Sequence, residues 1–300
     1  MGFGCASVMG KVDRATALRA MQTALDHGIT HFDIARSYGF GRAESVLGAF
    51  VKHHRQQVTI TTKFGVVPPV LGLKHRVLMP AARAAIRWVP ALASRARRQS
   101  GEMLAEVRFD VPYAHECLHT SLRELATDHI DIYLVHDPRN LSAEQLAALR
   151  DFMTRAKQSG KILRWGLACH VPQDLIWAKD AGADVIQIEG NLSTAHSLGL
   201  PHGPHQTLVT RPFCGGLSAN RAALIESALP GRLAELAQAG HDLVDLALAI
   251  SRQLAGPHGS VIAAMYSPEH IVSNARRITA VTSSAVLMAA ARDYIAKVAA

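Results

Sequence analysis

Four polar residues with related chemistry stand at the ends of short apolar runs or just beyond them. Asp33 closes "GITHFD", Tyr38 follows five positions later in a glycine-rich turn, Lys63 lies in "VTITTKFG", and His136 ends "IDIYLVH". A free tyrosine keeps its proton until about pH 10. A neighbouring cation favours the phenolate and turns the phenol into a usable acid. Lys63 is such a cation, Asp33 can hold an ammonium charged and in place, and His136 can hydrogen-bond the same substrate oxygen. A set of this kind protonates an oxyanion as it develops. It contains no activated nucleophile and no metal cage, so the electrons must come from another component. Taken singly, each residue has a plainer account: a helix cap, a packed ring, a solvated amine, a structural imidazole. Their recurrence at successive strand ends makes chemistry the better reading.

The elements that must position them alternate. Arg14–His27 carries Ala17, Leu18, Met21, Ala24 and Leu25 at helical spacing, with Asp13 as N-cap and Gly28 as stop. The strand His31–Ala35 follows, then a helix with Val46, Leu47, Phe50 and Val51 on one face, then "VTITTKFG". Asp110 caps a helix bearing Leu118, Leu122 and Leu125, which leads into "IDIYLVH". Ser142 and Gln145 form a capping box, and Gly160 closes that helix. "ILRWGLACH", "DVIQIEGN", "QTLVTRPF" and "SVIAAMYS" read as further strands, and "GFGCASVM" as the first. About eight strands alternating with helices predict an α/β fold, a parallel (β/α)8 TIM barrel, read as one domain over 1–300. The runner-up, a doubly wound open sheet, would want a GxGxxG turn after its first strand, and none is present. In a barrel, the C-terminal strand ends form one rim, where Asp33, Tyr38, Lys63 and His136 would converge.

Composition narrows the setting. The 300 residues are 49% apolar, and the 32 cations against 24 acids give a net charge of +8. Seven of those cations, from Lys74 to Arg98, lie in a stretch without Asp or Glu, so the basicity belongs to one segment. No apolar run reaches the roughly 18 residues that span a bilayer, and no signal-peptide pattern is seen. Cys5, Cys117, Cys169 and Cys214 show no zinc spacing and fit a reduced, cytoplasmic protein without structural metal. His202 and His205 in "LPHGPH" are better read as loop residues than as metal ligands.

The same stretches resemble the aldo-keto reductase family. "GITHFDIARSYGFGRAESVLG" is similar to its Asp-x-Ala-x-x-Tyr-Gly segment, "TTKFG" to its lysine strand, and "SLRELATDHIDIYLVHDP" to its helix-into-histidine-strand segment. "GKILRWGLACH", "DVIQIEGN" and "SPEHIVSN" follow in family order. The resemblance covers nearly the whole chain except about residues 68–105. It implies a barrel that binds NADP or NAD extended, without a Rossmann domain, and an NAD(P)H-dependent oxidoreductase that reduces a small aldehyde, ketone or sugar carbonyl. By position, Tyr38 becomes the general acid, Lys63 and Asp33 its tuning pair, and His136 the residue that orients the carbonyl. Gln187 matches a nicotinamide carboxamide contact, Arg211 a residue beside the nicotinamide or diphosphate, and Asn274 the adenine contact.

Four departures stand out. Ala168 and Cys169 replace the Ser-Asn that often binds the carboxamide. No Lys or Arg occurs from Ala263 to Asn274, where the family clamps the 2′-phosphate of NADP. Ser267 and the helix opening at Pro268 remain as weaker ligands. Discrimination between NADPH and NADH is therefore expected to lie within about tenfold. The family usually has a hairpin before the first strand, whereas Met1 here precedes "GFGCASVMG" almost directly, so a truncated form or another cover for the barrel floor is expected. A long insertion, residues 66–109, follows Lys63 on the catalytic side, and a cover over the rim is the reading its position favours. A solvated excursion and a contact for another copy or an acidic partner are the alternatives. Trp88 alone gives no stacking series for nucleic acid, and neither nucleic acid nor membrane is expected as a partner. The chain is expected to be a monomer or a small homo-oligomer. Two other readings compete with the reductase: a nicotinamide-binding regulatory or sensor barrel, and, on fold analogy alone, a metal-independent lyase or isomerase.

Overall fold

A computed structural model describes residues 1–69, 106–138, 141–169, 182–195, 205–213 and 219–299. Eight parallel strands close on themselves in sequence order. They are β1 (Gly2–Gly4), β2 (His31–Asp33), β3 (Thr59–Phe64), β4 (Ile130–His136), β5 (Ile162–Cys169), β6 (Val185–Glu189), β7 (Gln206–Thr210) and β8 (Ser260–Ala263). The helices are α1 (Arg14–Asp26), α2 (Ala43–His54), α3 (Val111–Glu124), α4 (Ala143–Gln158), α5 (Ala219–Ala228), α6 (Arg232–Gln238), α7 (Leu243–Ala255), α8 (Pro268–Ser283) and α9 (Ala285–Ala299). The expected caps are present. Asp13 accepts from the Thr16 amide, Asp110 from the Tyr113 amide, and Ser142 and Gln145 form the reciprocal box. Each satisfies amides that a helix start otherwise leaves without partners.

Period two along the strands creates two apolar regions. Ile132, Leu134, Ala168, Val185, Leu208 and Ile262 form a small buried cluster, which strand alternation assigns to the lumen. The alternate residues, such as Phe32, Ile60, Tyr133, Leu167 and Val209, join the larger cluster shared with the helices. The lumen is thus plugged in its middle. Polar side chains of the same inward set sit above the plug at Asp33, Lys63, His136 and Gln187. His31, Thr59 and Thr61 are the polar members of that set nearer the N-terminal ends of β2 and β3. The plug also fixes the strand spacing that the site inherits. Gly166 is an example: a Cβ there would lie 1.7 Å from the Val185 carbonyl oxygen, so β5 and β6 pair here only because the position is glycine.

The basic run 74–98 lies outside the described residues. The two feet of the insertion are described and meet. Val66 bridges Val107 antiparallel, the Val67 amide donates to the Glu106 carbonyl at 2.8 Å, and the Arg108 amide donates to Gly65 at 2.8 Å. The excursion therefore leaves and rejoins the barrel at one point, beside the end of β3.

Candidate active site

Asp33 and Lys63 are brought together by neighbouring strands: β2 and β3 pair in parallel with Asp33 opposite Thr61, which leaves Lys63 one inward position higher. The ammonium donates to Asp33 Oδ1 at 2.8 Å, Asp33 Oδ2 at 2.7 Å and the Ile34 carbonyl at 2.8 Å. All three protons have acceptors. With Lys63 1% and Asp33 4% exposed, the pair is shielded from water. Burial alone would push the Lys63 ammonium toward neutrality. The opposing charges of Asp33 and Tyr38, and the Asp33 hydrogen bonds, outweigh it and hold its pKa above the ordinary lysine value.

Tyr38 stands in the short 3-10 turn Tyr38–Gly41 and faces a cavity of about 840 Å³. Lys63 Nζ lies 5.2 Å from its ring centroid. His136 packs edge-on, with ring centroids 6.0 Å apart and planes at 83°. Burial pushes the phenol pKa up, and the Lys63 charge pulls it back part of the way; the net direction is upward. Sequence alone points only to the cation. In the fold, desolvation is the larger influence, so at neutral pH the phenol holds its proton and stands ready as a donor.

Gln187 on β6 reaches across the lumen, and its Nε2 donates to Asp33 Oδ1 at 2.7 Å. A residue expected only as a cofactor contact is therefore also joined to the charge pair. Ala168 and Cys169 line the cavity at the end of β5 and present a methyl and a thiol there. Arg211 lies just past β7 with a left-handed φ of 57° and pairs with Glu189 at 2.8 Å; both residues line the cavity. Asn191 stitches the pair, donating to Glu189 Oε1 and to the Arg211 carbonyl, each at 3.2 Å. Asn274, nearly two turns into α8, is buried, lines the cavity, and directs its Nδ2 at Met265 Sδ.

Ser267 does not join this group. Its hydroxyl caps α8 by accepting from the His270 amide and is also bonded to Glu269, and it is absent from the cavity lining. Arg277, a conceivable reserve cation, binds Asp242 at 2.8 Å and Asp245 at 2.6 Å instead. Residues that the sequence reading passed over also line the cavity: Lys11 after β1, Glu189, and His270 in the first turn of α8. The available signal was position alone, since Lys11 and His270 each follow a strand on the rim side. Among the described residues, no group of three His, Cys, Asp or Glu converges as a metal site. His205 bonds the Ala183 carbonyl, while His202 and Cys214 lie outside the described residues.

Residues 1–200 match the model of the aldo/keto reductase family. Among curated proteins, the chain is 30% identical over 164 residues to the aldo-keto reductase YhdN of Bacillus subtilis, covering 54% of this chain and 39% of that protein. It is 24% identical over 292 residues to the methylglyoxal reductase YeaE of Escherichia coli, covering 94% of this chain and 85% of that protein. For the first three curated relatives the chain spans 39%, 56% and 43% of their length. Among solved structures, the holo form of aldo-keto reductase AKR11C1 from Bacillus halodurans superposes with a TM-score of 0.70 at 20% identity, over 100% of this chain and 92% of that one. An aldo-keto reductase from Klebsiella pneumoniae in complex with NADPH gives 0.60 at 21% identity, over 93% and 84%. At such identities the structural likeness speaks for the fold.

Proposed function

The chain belongs to the aldo/keto reductase family, and from that premise we propose that it is an NAD(P)H-dependent oxidoreductase. It acts on a small aldehyde, ketone or sugar carbonyl, or on the alcohol in the reverse direction, with Tyr38 as general acid. The observation that carries this reading is the water-shielded Asp33–Lys63 pair behind a phenol that faces the cavity.

The donor set fits an extended dinucleotide. Gln187 gives its Nε2 to Asp33 and keeps its carboxamide oxygen for the nicotinamide carboxamide. Asn274 lines the same cavity and is the adenine contact of this reading. Arg211 and the first turn of α8 are the groups suited to the phosphates. Ala168 and Cys169 supply packing where the family often supplies hydrogen bonds. When bound, the reduced nicotinamide supplies the hydride. Tyr38 donates its proton to the carbonyl oxygen as negative charge builds there. His136 fixes the side from which that oxygen approaches. Lys63, kept cationic by Asp33, stabilises the phenolate left behind, which regains its proton from solvent.

Cofactor discrimination should be weak. No lysine or arginine occupies 263–274, and Glu269 adds negative charge to the turn where a 2′-phosphate would lie. An exposed helix start contributes only about 0.3–1 kcal/mol. Dissociation constants for NADPH and NADH within about tenfold of each other, or about 1.4 kcal/mol, are expected.

The deciding experiment is Tyr38→Phe. Carbonyl reduction should fall by at least about 10²-fold, while both cofactor dissociation constants stay near wild type. Near-normal reduction by the variant would remove Tyr38 from its role. A second reading, a nicotinamide-binding regulatory barrel, is favoured by the apolar pair Ala168 and Cys169 in the carboxamide position. Wild-type protein that binds the cofactor and reduces no carbonyl would support it.

A further inference from the structure

We infer that Lys11 makes this site select carbonyl substrates bearing an anionic group, a carboxylate or a phosphate. The inference rests on the proposed carbonyl chemistry at Tyr38 and adds the substrate class. Lys11 lines the same cavity as Tyr38 and His136. The other fully charged groups of that lining are already matched: Asp33 by Lys63, and Glu189 with Arg211 by each other. Among the described residues Lys11 alone brings a permanent charge to the cavity without an ion-pair partner. Lys11 is exposed and stands at the solvent-facing side of the cavity lining, where a point charge draws in an anion and makes a short charge-assisted contact with it.

Its place beside the phenol is built into the backbone. Lys11 lies in the turn between β1 and α1, where the amides of Gly10, Lys11 and Val12 all donate to the Ser7 carbonyl, at 3.1, 2.9 and 3.0 Å. That turn rests directly on the Tyr38 turn. Gly39 has φ of +58°, and a Cβ there would lie 2.4 Å from the Val8 carbonyl oxygen and 2.7 Å from the Met9 Cβ. The backbone bearing Lys11 and the backbone bearing Tyr38 are thus in contact through a position that only glycine can fill. An anion bound by Lys11 enters from the side of the cavity that the β1–α1 turn forms, next to the Tyr38 turn, and this biases how the carbonyl meets the phenol.

An anion at Lys11 has two conceivable sources, the substrate and a cofactor phosphate. The contact with the Tyr38 turn assigns it to the substrate. The experiment separates the two. Wild type, Lys11→Met and Lys11→Arg are compared on 4-carboxybenzaldehyde and benzaldehyde, with dissociation constants measured for NADPH and NADH. The Lys11→Met change should raise the ratio of the two KM values, charged over neutral, by about tenfold, with Lys11→Arg restoring most of it. An unchanged ratio overturns the inference. An unchanged ratio with weakened cofactor binding gives Lys11 to a cofactor phosphate and also overturns it. If wild type reduces neither aldehyde, the carbonyl-reductase reading fails separately, and binding of benzoate against benzamide to the NADP-loaded protein decides Lys11. A preference for benzoate that is lost in Lys11→Met supports the assignment, and no preference refutes it.

Discussion

Lys63 acts on Tyr38 through its charge first and through a hydrogen bond second. Its ammonium is anchored by both Asp33 oxygens and the Ile34 carbonyl, which hold that charge against the phenol. Lys63→Met removes the group that pulls the Tyr38 pKa down and leaves burial and the Asp33 charge, both of which push it up. Reduction needs the protonated phenol and declines as it ionises; oxidation needs the phenolate and rises as it forms. In both directions the Tyr38-governed limb of the pH–rate profile should move to higher pH, and a profile that stays in place would make Lys63 purely structural. The gathering of Asp33, Tyr38, Lys63 and His136 at one rim was legible because each stands at or just beyond a strand end. The Gln187–Asp33 bond was not, because it joins β2 and β6 across the ring from 154 positions apart, and local periodicity says nothing of which inward residues meet in the lumen. The net direction of the Tyr38 shift was hidden for a related reason: burial is a property of the assembled barrel.

Between elements, the group that holds the Tyr38 turn to β3 is Glu44 at the start of α2. It is fully buried and accepts from Thr62 Oγ1 at 2.7 Å, Ser121 Oγ at 2.7 Å and Arg36 Nη1 at 2.9 Å. One carboxylate therefore ties together α2, β3, α3 and the segment leading into Tyr38. Thr62 precedes Lys63, and Arg36 lies two residues before Tyr38, so the clasp sets the relative height of donor and cation. Glu44→Gln keeps the shape and leaves Arg36 without its counter-ion. Breaking a buried pair costs about 3–5 kcal/mol; because Arg36 retains some contact with water, about 3 kcal/mol is the upper expectation. Urea unfolding measures the loss, and a change below about 0.5 kcal/mol would show the clasp to be dispensable. The elements themselves were readable from caps, periodicity and glycine stops. Their joints were not: Glu44 is one acid among many in the sequence, and only the packing of α2 on α3 and β3 gives it three partners.

At the scale of the molecule, the floor of the barrel responds to acid. His31 opens β2 at the N-terminal end of the barrel, with Nδ1 3.0 Å from Thr59 Oγ1 and Nε2 3.2 Å from Thr61 Oγ1. Burial pushes its pKa down to about 4, against the pull of Asp33. The unfolded chain, with an ordinary imidazole near 6.5, binds the proton more readily. Stability should therefore be undiminished above about pH 6.5 and fall as the pH drops toward 4, by at most about 3 kcal/mol from this residue. Urea midpoints across that window should show a shallower decline in His31→Gln than in wild type, and parallel curves would exclude His31 as the source. The closed ring carries a consequence for time. Gly2 pairs with Ile262 and Phe3 with Ala263, so β1 has its second neighbour only when almost the whole chain has been threaded into place. The loop closed by that pairing is nearly as long as the protein, and such non-local contacts form slowly. Until they form, β1 and β8 are open sheet edges. The same closure that leaves the finished barrel without a free edge is therefore, during assembly, the step before which two edges stand open to pairing with another chain.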